Sequence, residues 1–434
     1  MLRKGFAVAI CILCSISFVF AGGASEGSSS DGKITLIYQN GFDPVTSGDG
    51  VAHEAKYAEY DQLKPGIHVE HNIMTYDQSR QKAIISGQAG EGPDAIHMLG
   101  EWVPDFVSMG LLEDITDAMK SWSDYSAFPE SAWKVATVNG RIYGIPSIAS
   151  TRVLVYREDL LNEAGLEVPE TWEDLRRAAK ALTKDTDGDG KIDVYGFAFC
   201  SSSKAVRGPQ EFAVLLNSVD KAEFAVSQNG RWVPGFTVDQ AEKVFQLYYD
   251  LMFVDKSVPP YSIGWEWEEL DPNFASGSIA MVQDGSWMQQ RIADGYKPET
   301  WKTASFPYCT TPATYMEVKV EGVGKFGKHK TETLEFLKWL YSRDNMVAIT
   351  QTDNLPSRSD AEDSPLWTSD PVWKEEFINN VQYGFSFPSI SLGPVLERTM
   401  TYVQEVLYQR MTPRVAAQGF HDYVKNYLDM EINS

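Results

Sequence analysis

Apolar and polar positions alternate along the chain in short blocks that predict strands and helices in turn. Ile34 to Tyr38 and Ile67 to Ile73 are apolar runs of strand length, and a helical stretch ending at Leu63 lies between them. A second predicted helix, Tyr76 to Ser86, precedes a further buried strand at Asp94 to Leu99. This alternation favours an α/β protein with mostly parallel sheets, in which ligands bind beyond the carboxyl ends of the strands.

Two later helices carry start signals in the sequence. Thr171 and Asp174 have the spacing of a capping box at the start of a predicted helix over residues 172–184, which presents one apolar face. Asp239 and Glu242 repeat that spacing before another amphipathic stretch. We therefore expect both pairs to cap helices.

Length and charge narrow the class of protein. A chain of 434 residues is too long for one ordinary core, so two or more lobes are expected. Hydrophobic residues make up 43% and charged residues 23%, which is typical of a globular protein. The formal net charge of −22 argues against binding to nucleic acid or to an anionic membrane surface.

The N-terminal segment predicts export. Residues 1–24 have the basic start, the short apolar core and the small residues near a cleavage point of a signal peptide. Residues 25–31, rich in Gly and Ser, are predicted to form a flexible tether. Cys14 follows bulky Leu13 inside the apolar run, so lipid anchoring ranks second. We expect a protein of the periplasm or the cell surface.

Two cysteines, Cys200 and Cys309, remain after cleavage. They either pair in an oxidising compartment or lie apart as small buried thiols, and the sequence leaves both alternatives open.

Motifs for catalysis and cofactors are weak. The sequence contains no HExxH, no GxSxG and no Walker A motif. Residues 322–327 match GxGxxG, but the match is late in the chain and predicts a turn between strand and helix. We expect no organic cofactor and no enzymatic activity.

Tryptophans follow the ends of several predicted elements. Trp102 comes just after a strand, Trp267 lies in an acidic stretch, and Trp287 follows the turn Asp284-Gly285. One face of a sugar ring consists of C–H groups and suits a flat aromatic side chain flanked by polar groups. These positions therefore suggest carbohydrate binding.

Several blocks of sequence, taken in order, resemble one known family. They are Gly92-Pro93-Asp94-Ala95-Ile96, Asn139-Gly140-Arg141-Ile142-Tyr143-Gly144-Ile145-Pro146, Thr171-Trp172, Phe274-Ala275-Ser276-Gly277, Gly285-Ser286-Trp287 and Leu355-Pro356-Ser357-Arg358. Together they are similar to extracellular solute-binding proteins of family 1, the sugar-binding components of ABC importers. The resemblance spans most of the chain beyond the signal peptide.

The resemblance implies an α/β, two-lobed fold like that of type II periplasmic binding proteins, with a hinge of crossing strands and a ligand in the cleft. By analogy, residues 32–147 and 321–356 form an N-terminal lobe. Residues 148–320 and 357–434 form a C-terminal lobe. The implied protein is a monomer that captures a sugar or oligosaccharide and delivers it to the permease subunits of the importer.

The candidate ligand contacts are seven side chains near the ends of predicted elements: Asn40, Asp94, Trp102, Trp267, Asp284, Trp287 and Arg358. Two departures from the family limit this list. Gln39-Asn40 lacks the aromatic residue that often ends the first strand, and the segment starting at Glu321 is less glycine-rich than usual. The alternatives are an exported carbohydrate-active enzyme or a binding protein for another small solute, such as a polyol phosphate.

An acidic loop resembles part of a calcium site. Asp185, Asp187, Asp189 and Asp193 supply oxygens at positions 1, 3, 5 and 9 of a calcium loop, and Lys191 offers its carbonyl at position 7. The bidentate Glu of an EF-hand is missing at position 12. The sequence therefore leaves open a structural calcium site completed from elsewhere and a solvated acidic turn.

Overall fold

The computed structural model describes most of the chain beyond the predicted signal peptide and tether. The described residues are 32–45, 48–203, 207–285, 287–288, 301–350, 354–361, 380 and 382–434. The predictions for residues 1–24 and 25–31, and for Cys14, lie outside them. Across these ranges, every helix is too short or too polar to cross a membrane.

Helices and strands alternate through the first half of the chain, as predicted. The described strands are β1 Ile34–Asn40, β2 Ile67–Ile73, β3 Ala95–Leu99, β4 Thr137–Val138, β5 Arg141–Ile142, β6 Ile145–Ser150, β7 Val153–Arg157, β8 Glu223–Gln228, β9 Arg231–Gly235, β10 Met281–Asp284, β11 Trp301–Ala304, β12 Thr314–Tyr315, β13 Glu317–Val323, β14 Leu355–Pro356 and β15 Gly384–Phe385.

The described α-helices are α1 Gly48–Leu63, α2 Tyr76–Gln88, α3 Val103–Ser108, α4 Thr116–Lys120, α5 Glu130–Val135, α6 Glu158–Ala164, α7 Trp172–Leu182, α8 Arg207–Asn217, α9 Val238–Tyr249, α10 Trp267–Ala275, α11 Lys330–Leu340, α12 Arg343–Ile349, α13 Gly393–Leu407 and α14 Pro413–Tyr427. Single turns of 3₁₀ or π helix occur at Gly100–Trp102, Tyr125–Ala127, Asp250–Val254, Ser359–Ala361 and Leu428–Ile432.

The largest sheet has the strand order β14-β6-β13-β3-β1-β2. β1 pairs in parallel with β2 and β3, as predicted. β13 is antiparallel to both β3 and β6, and β14 is antiparallel to β6. The expectation of mostly parallel sheets is therefore wrong beyond the first three strands, because the chain returns from its second half and enters this sheet in the opposite direction.

Each of the two lobes has its own clusters of buried hydrophobic residues. In the N-terminal lobe, Tyr38 of β1 packs edge-on against Phe336 of α11. In the C-terminal lobe, Phe212, Phe245 and Phe420 pack among α8, α9 and α14, beside an antiparallel sheet with the order β10-β7-β11. β6 and β13 run through the predicted lobe boundaries, so the exact boundaries stay a prediction.

One predicted cap is confirmed and the other is wrong. Thr171 and Asp174 form the capping box of α7. The capping box of α9 is formed instead by Thr237 and Gln240, whose side chains bond reciprocally to each other's backbone N–H groups. Asp239 and Glu242 point away from the helix start and receive hydrogen bonds from Arg414 of α14.

The two cysteines of the described chain are both free thiols. Cys200 is buried and Cys309 is half-buried. Of the two alternatives that the sequence left open, the structure contains the unpaired one.

Candidate functional site

The turn after β10 positions Trp287 beside buried charge. Asp284, the last residue of the strand, is fully buried and accepts a hydrogen bond from the backbone N–H of Gly285 at 2.8 Å. A Cβ atom on Gly285 would lie 2.2 Å from the indole of Trp287. Only glycine lets this ring fold back over the turn, because any side chain would occupy the same space.

A buried arginine balances several carboxylates behind the turn. Arg207 donates to Glu211 and Asp271 at 2.8 Å each, and its Nη2 lies 3.3 Å from Asp284. Burial would lower the pKa of Arg207, but the surrounding carboxylates raise it. Burial raises the pKa of Asp284, and Arg207 opposes that shift. The guanidinium carbon lies 6.0 Å from the centre of the Trp287 ring.

A second buried arginine stacks closer to the same indole. The guanidinium carbon of Arg152 lies 4.6 Å from the centre of the Trp287 ring, and the residue is 2% exposed. Arg152 donates to Ser150 at 3.2 Å and to the side-chain oxygen of Gln210, and it lies 3.4 Å from Glu317. Cation–π contact and ion pairing together fix the position of the ring.

Glu101 brings the N-terminal lobe into this network. Its carboxylate accepts hydrogen bonds from Gln210 at 2.6 Å and from Tyr315 at 3.0 Å. The same amide of Gln210 donates to Glu317 at 3.2 Å, so two buried carboxylates share one donor. Burial, with the nearby charge of Glu317, raises the pKa of Glu101 to about 7. Burial would raise the pKa of Glu317 also, but the charges of Arg152 and Lys319, with hydrogen bonds from Gln210 and Ser150, together lower it.

Strand β13 carries charge to both lobes. Its alternation places Glu317, Lys319 and Glu321 on one face. Lys319 is 8% exposed, and its Nζ lies 5.7 Å from the centre of the Tyr76 ring. Burial would lower the pKa of Lys319, but Tyr76 and Glu317 raise it. Glu321 is fully buried and lies 2.6 Å from Nδ1 of His97, so it faces the N-terminal core rather than the cleft.

Two of the predicted ligand contacts hold the backbone of the N-terminal lobe. Asn40 accepts a hydrogen bond from the backbone N–H of Phe42 at 2.9 Å. Asp94 accepts from the backbone N–H groups of Lys328 at 2.8 Å and His329 at 3.0 Å. Both side chains are buried, and their ligand roles stay predictions.

Arg358 and Trp267 are two further predicted ligand contacts. Arg358 is buried, donates to Asp124 and Asp360 at 2.8 Å each, and fixes a loop of the N-terminal lobe. Trp267 is half-buried at the first position of α10. The structure brings Asp284 and Trp287 together. Trp267 lies one helical turn before Asp271, which accepts a hydrogen bond from Arg207, and the ligand roles of Arg358 and Trp267 stay predictions.

Trp102 is packed inside the N-terminal lobe. It is 1% exposed, with Tyr76, Phe106 and the guanidinium of Arg80 about its ring. Its indole N–H finds no acceptor among the described residues. Contact of Trp102 with ligand stays a prediction.

The acidic loop gathers three of its predicted calcium ligands. Carboxylate oxygens of Asp185, Asp187 and Asp193 all lie within 4.8 Å of one another, on exposed side chains. Asp189 lies outside this group, and its Oδ2 is 3.0 Å from Nζ of Lys191. Three convergent carboxylates suit a hard cation such as calcium, which takes six to eight oxygen ligands.

Most residues of the network beside Trp287 belong to no recognisable sequence motif. Arg152, Arg207, Gln210 and Glu101 are isolated polar residues within apolar or mixed stretches. The signal that was present is the alternation Glu-Val-Lys-Val-Glu starting at Glu317, which predicts a charged face on an otherwise buried strand.

Two lobes joined by a buried network of charged, polar and aromatic side chains are typical of a solute-binding architecture. Residues 45–347 match the family of bacterial extracellular solute-binding proteins. The chain belongs to this family, whose members are binding proteins of the extracellular space.

Similar proteins cover nearly the whole chain. One is an uncharacterized lipoprotein in the oleD 5′ region of Streptomyces antibioticus, 26% identical over 377 residues, which are 84% of this chain and 80% of that one. Another is a maltodextrin-binding protein of Bacillus subtilis, 24% identical over 382 residues, 83% of this chain and 82% of that one. A solute-binding protein of an ABC transporter from Thermotoga lettingae, crystallised with α-D-tagatose, has a similar fold, with a TM-score of 0.81 at 22% identity, covering 91% of this chain and 100% of that one.

Proposed function

We propose that this protein captures a sugar, a short oligosaccharide or a related polyol in the cleft and delivers it to the permease of an ABC importer. Export to the periplasm or cell surface by a cleaved signal peptide, a flexible tether and action as a monomer belong to the same proposal. The names of the maltodextrin- and tagatose-binding relatives support the ligand class.

The observation that carries the proposal is the arrangement around Trp287. A flat indole lies beside Arg152, whose partners Glu317 and Gln210 are buried hydrogen-bonding groups. Sugars offer C–H faces for stacking and hydroxyl groups that both donate and accept hydrogen bonds. Charged partners that are already fixed in place can bond such hydroxyls without paying again for side-chain ordering.

A thermal-shift screen tests the proposal, because a ligand that binds only the folded state raises its stability. The panel would contain tagatose, ribitol, maltose and mannobiose, with glutamate, spermidine, glycerol phosphate and a tripeptide as other classes. We expect a sugar or polyol to raise the melting temperature of the native protein and to shift Trp287→Ala much less. A response confined to one of the other classes would reject the proposal.

A second candidate, a carbohydrate-active enzyme, is favoured by one observation. Glu101 and Glu317 are neighbouring carboxylates whose pKa values are shifted in opposite directions, as in glycosidases that use one acid and one carboxylate. Both carboxylates are bonded to Gln210, which leaves less room for water between them. Mass spectrometry of a bound oligosaccharide separates the two functions: a receptor returns it intact, and an enzyme returns shorter products.

We also propose that Asp185, Asp187 and Asp193 hold a structural calcium ion. The convergence of their carboxylates supports this, since three like charges repel one another unless a cation or solvent screens them. The ion would stabilise the connection after α7 and take no part in ligand binding.

A further inference from the structure

A second set of direct contacts joins the two lobes beside Trp102. Asp105 on α3 is 2% exposed and accepts a hydrogen bond from the hydroxyl of Ser391, at the entry to α13. Arg80 lies 3.5 Å from Asp105 and donates to Glu397 of α13 at 3.1 Å. We call these residues, together with Gly393, the interlobe clamp.

Gly393 allows the lobes to approach this closely. A Cβ atom at this position would lie 2.2 Å from Oδ2 of Asp105 and 2.9 Å from Nη2 of Arg80. Gly393 is also the first residue of α13, a helix of 15 residues. The unpaired N–H groups and the dipole at a helix start favour a carboxylate there. The N-terminal lobe therefore supplies an anion to the start of a helix in the C-terminal lobe.

The interlobe clamp lies next to the inner contacts of the cleft. Glu101 and Asp105 are four positions apart, and Glu101 bonds to Gln210 and Tyr315 on the other side. The contacts of Glu101 and the contacts of Asp105 thus form two successive layers that join the lobes on the Trp102 side. A sugar ring placed there would separate Asp105 from Ser391 and leave a buried carboxylate without its partner, which is unfavourable.

We propose that the interlobe clamp closes this end of the cleft and limits the ligand to a monosaccharide, a disaccharide or a polyol. The inference rests on the proposed function and makes it more specific. Arg80 and Glu397 are its selectivity residues, because they form the part of the clamp that remains open to solvent: the Glu397 side chain is 52% exposed.

The test compares ligands of increasing length on the full chain. Calorimetry would measure glucose, maltose, maltotriose and maltohexaose, and the matching mannose series, against the native protein and the double variant Arg80→Ser, Glu397→Ser. We expect the native protein to bind the longest sugar of the preferred series at least about tenfold more weakly than the disaccharide. The double variant should reduce this penalty, and the single variant Glu397→Ser should also reduce it while changing disaccharide affinity by less than about threefold, since the Glu397 side chain is 52% exposed.

The matched control is Glu405→Ser on the same helix, which removes a surface ion pair with Arg410 at 3.0 Å. It should leave the length preference unchanged. The single variant Glu397→Ser replaces the double variant if the latter does not fold, as judged by its melting curve. The inference is overturned if the native protein binds the hexasaccharide as tightly as the disaccharide, or if both clamp variants keep the native length preference. Failure of every sugar to bind any form would overturn the proposed function itself, and the clamp's role with it.

Discussion

The acidic loop and the network at the cleft are both groups of charged side chains, but they differ in solvent exposure and in the signs of the charges. The loop residues Asp185, Asp187 and Asp193 are exposed and carry one sign of charge. In the network, Arg152 and Glu317 are buried and carry opposite signs. The loop has a recognisable sequence pattern, but water screens its charges. The network has no motif, yet each of its charges has lost its hydration and depends on a partner.

The largest effect is expected from Arg152→Ala. Removing this guanidinium leaves Glu317 buried without its ion pair, which should cost about 3–5 kcal/mol of unfolding free energy. Urea denaturation measures the loss. The matched variant Arg141→Ala removes an ion pair whose arginine side chain is 65% exposed, and should cost much less. Equal costs for the two variants would mean that the network is effectively solvated.

Trp287→Ala should weaken ligand binding by roughly 1–3 kcal/mol, the value of a buried aromatic contact, with little effect on folding. Gly285→Ala should weaken binding in the same direction, because its new Cβ would displace the indole. Calorimetry with the ligand found in the screen measures both. Trp232→Ala, at a half-buried tryptophan of β9, is the control. Native affinity in both site variants would place Trp287 outside the binding site.

A pH effect is expected from Glu101→Gln. The pKa of Glu101 rises from 4.5 to about 7 on folding, so its contribution to stability is complete below about pH 4.5 and is lost as the pH rises through 7. Glutamine resembles the protonated carboxyl group and does not ionise, so the variant loses no stability from this position as the pH rises. The melting temperature of the variant, relative to native protein, should therefore rise between pH 4.5 and 7 and then stay level. A difference that is constant with pH would show that Glu101 titrates normally.

The smallest effect is expected at the acidic loop. Chelator should lower the melting temperature by a few degrees, and calcium should restore it better than magnesium, without a change in ligand affinity. Asp187→Ala should abolish this response. Asp189→Ala should keep it, because Asp189 lies outside the group of three carboxylates. If neither calcium nor magnesium changes the melting temperature of the metal-free protein, the loop is a solvated turn.

Much of the fold could be predicted from local patterns. The strand at Ile67–Ile73 and the capping box at Thr171 are short-range features, and the structure contains both. The antiparallel pairing of β13 could not be predicted, because it depends on where a distant segment returns to the sheet. The cap of α9 was also a local feature, because Thr237 and Gln240 have the spacing of a capping box, and the prediction placed it two residues too late, at Asp239 and Glu242.

The candidate site could be predicted only where its residues lie close together in the sequence. Asp284 and Trp287 belong to one turn, and their proximity follows from the sequence. Arg152 and Glu101 reach the same place from other parts of the fold, so no spacing rule connects them. Asp94 shows what spacing leaves out: its position beside a strand end suggested a ligand contact, which stays a prediction, and the structure adds that its oxygens accept hydrogen bonds from distant backbone N–H groups.

The alternation of charged and apolar residues along β13 means that this strand cannot tolerate insertions or deletions. Glu317 serves the cleft, Glu321 serves the N-terminal core, and Val318 and Val320 between them are buried on the opposite face. Inserting or deleting one residue would exchange these faces and put the charges where the valines are. Side-chain identity in this strand can drift through substitution, but its length cannot. A reporter domain inserted to make a biosensor would therefore have to avoid β13, and the exposed turn at Asn229 and Gly230 between β8 and β9 offers a more tolerant site.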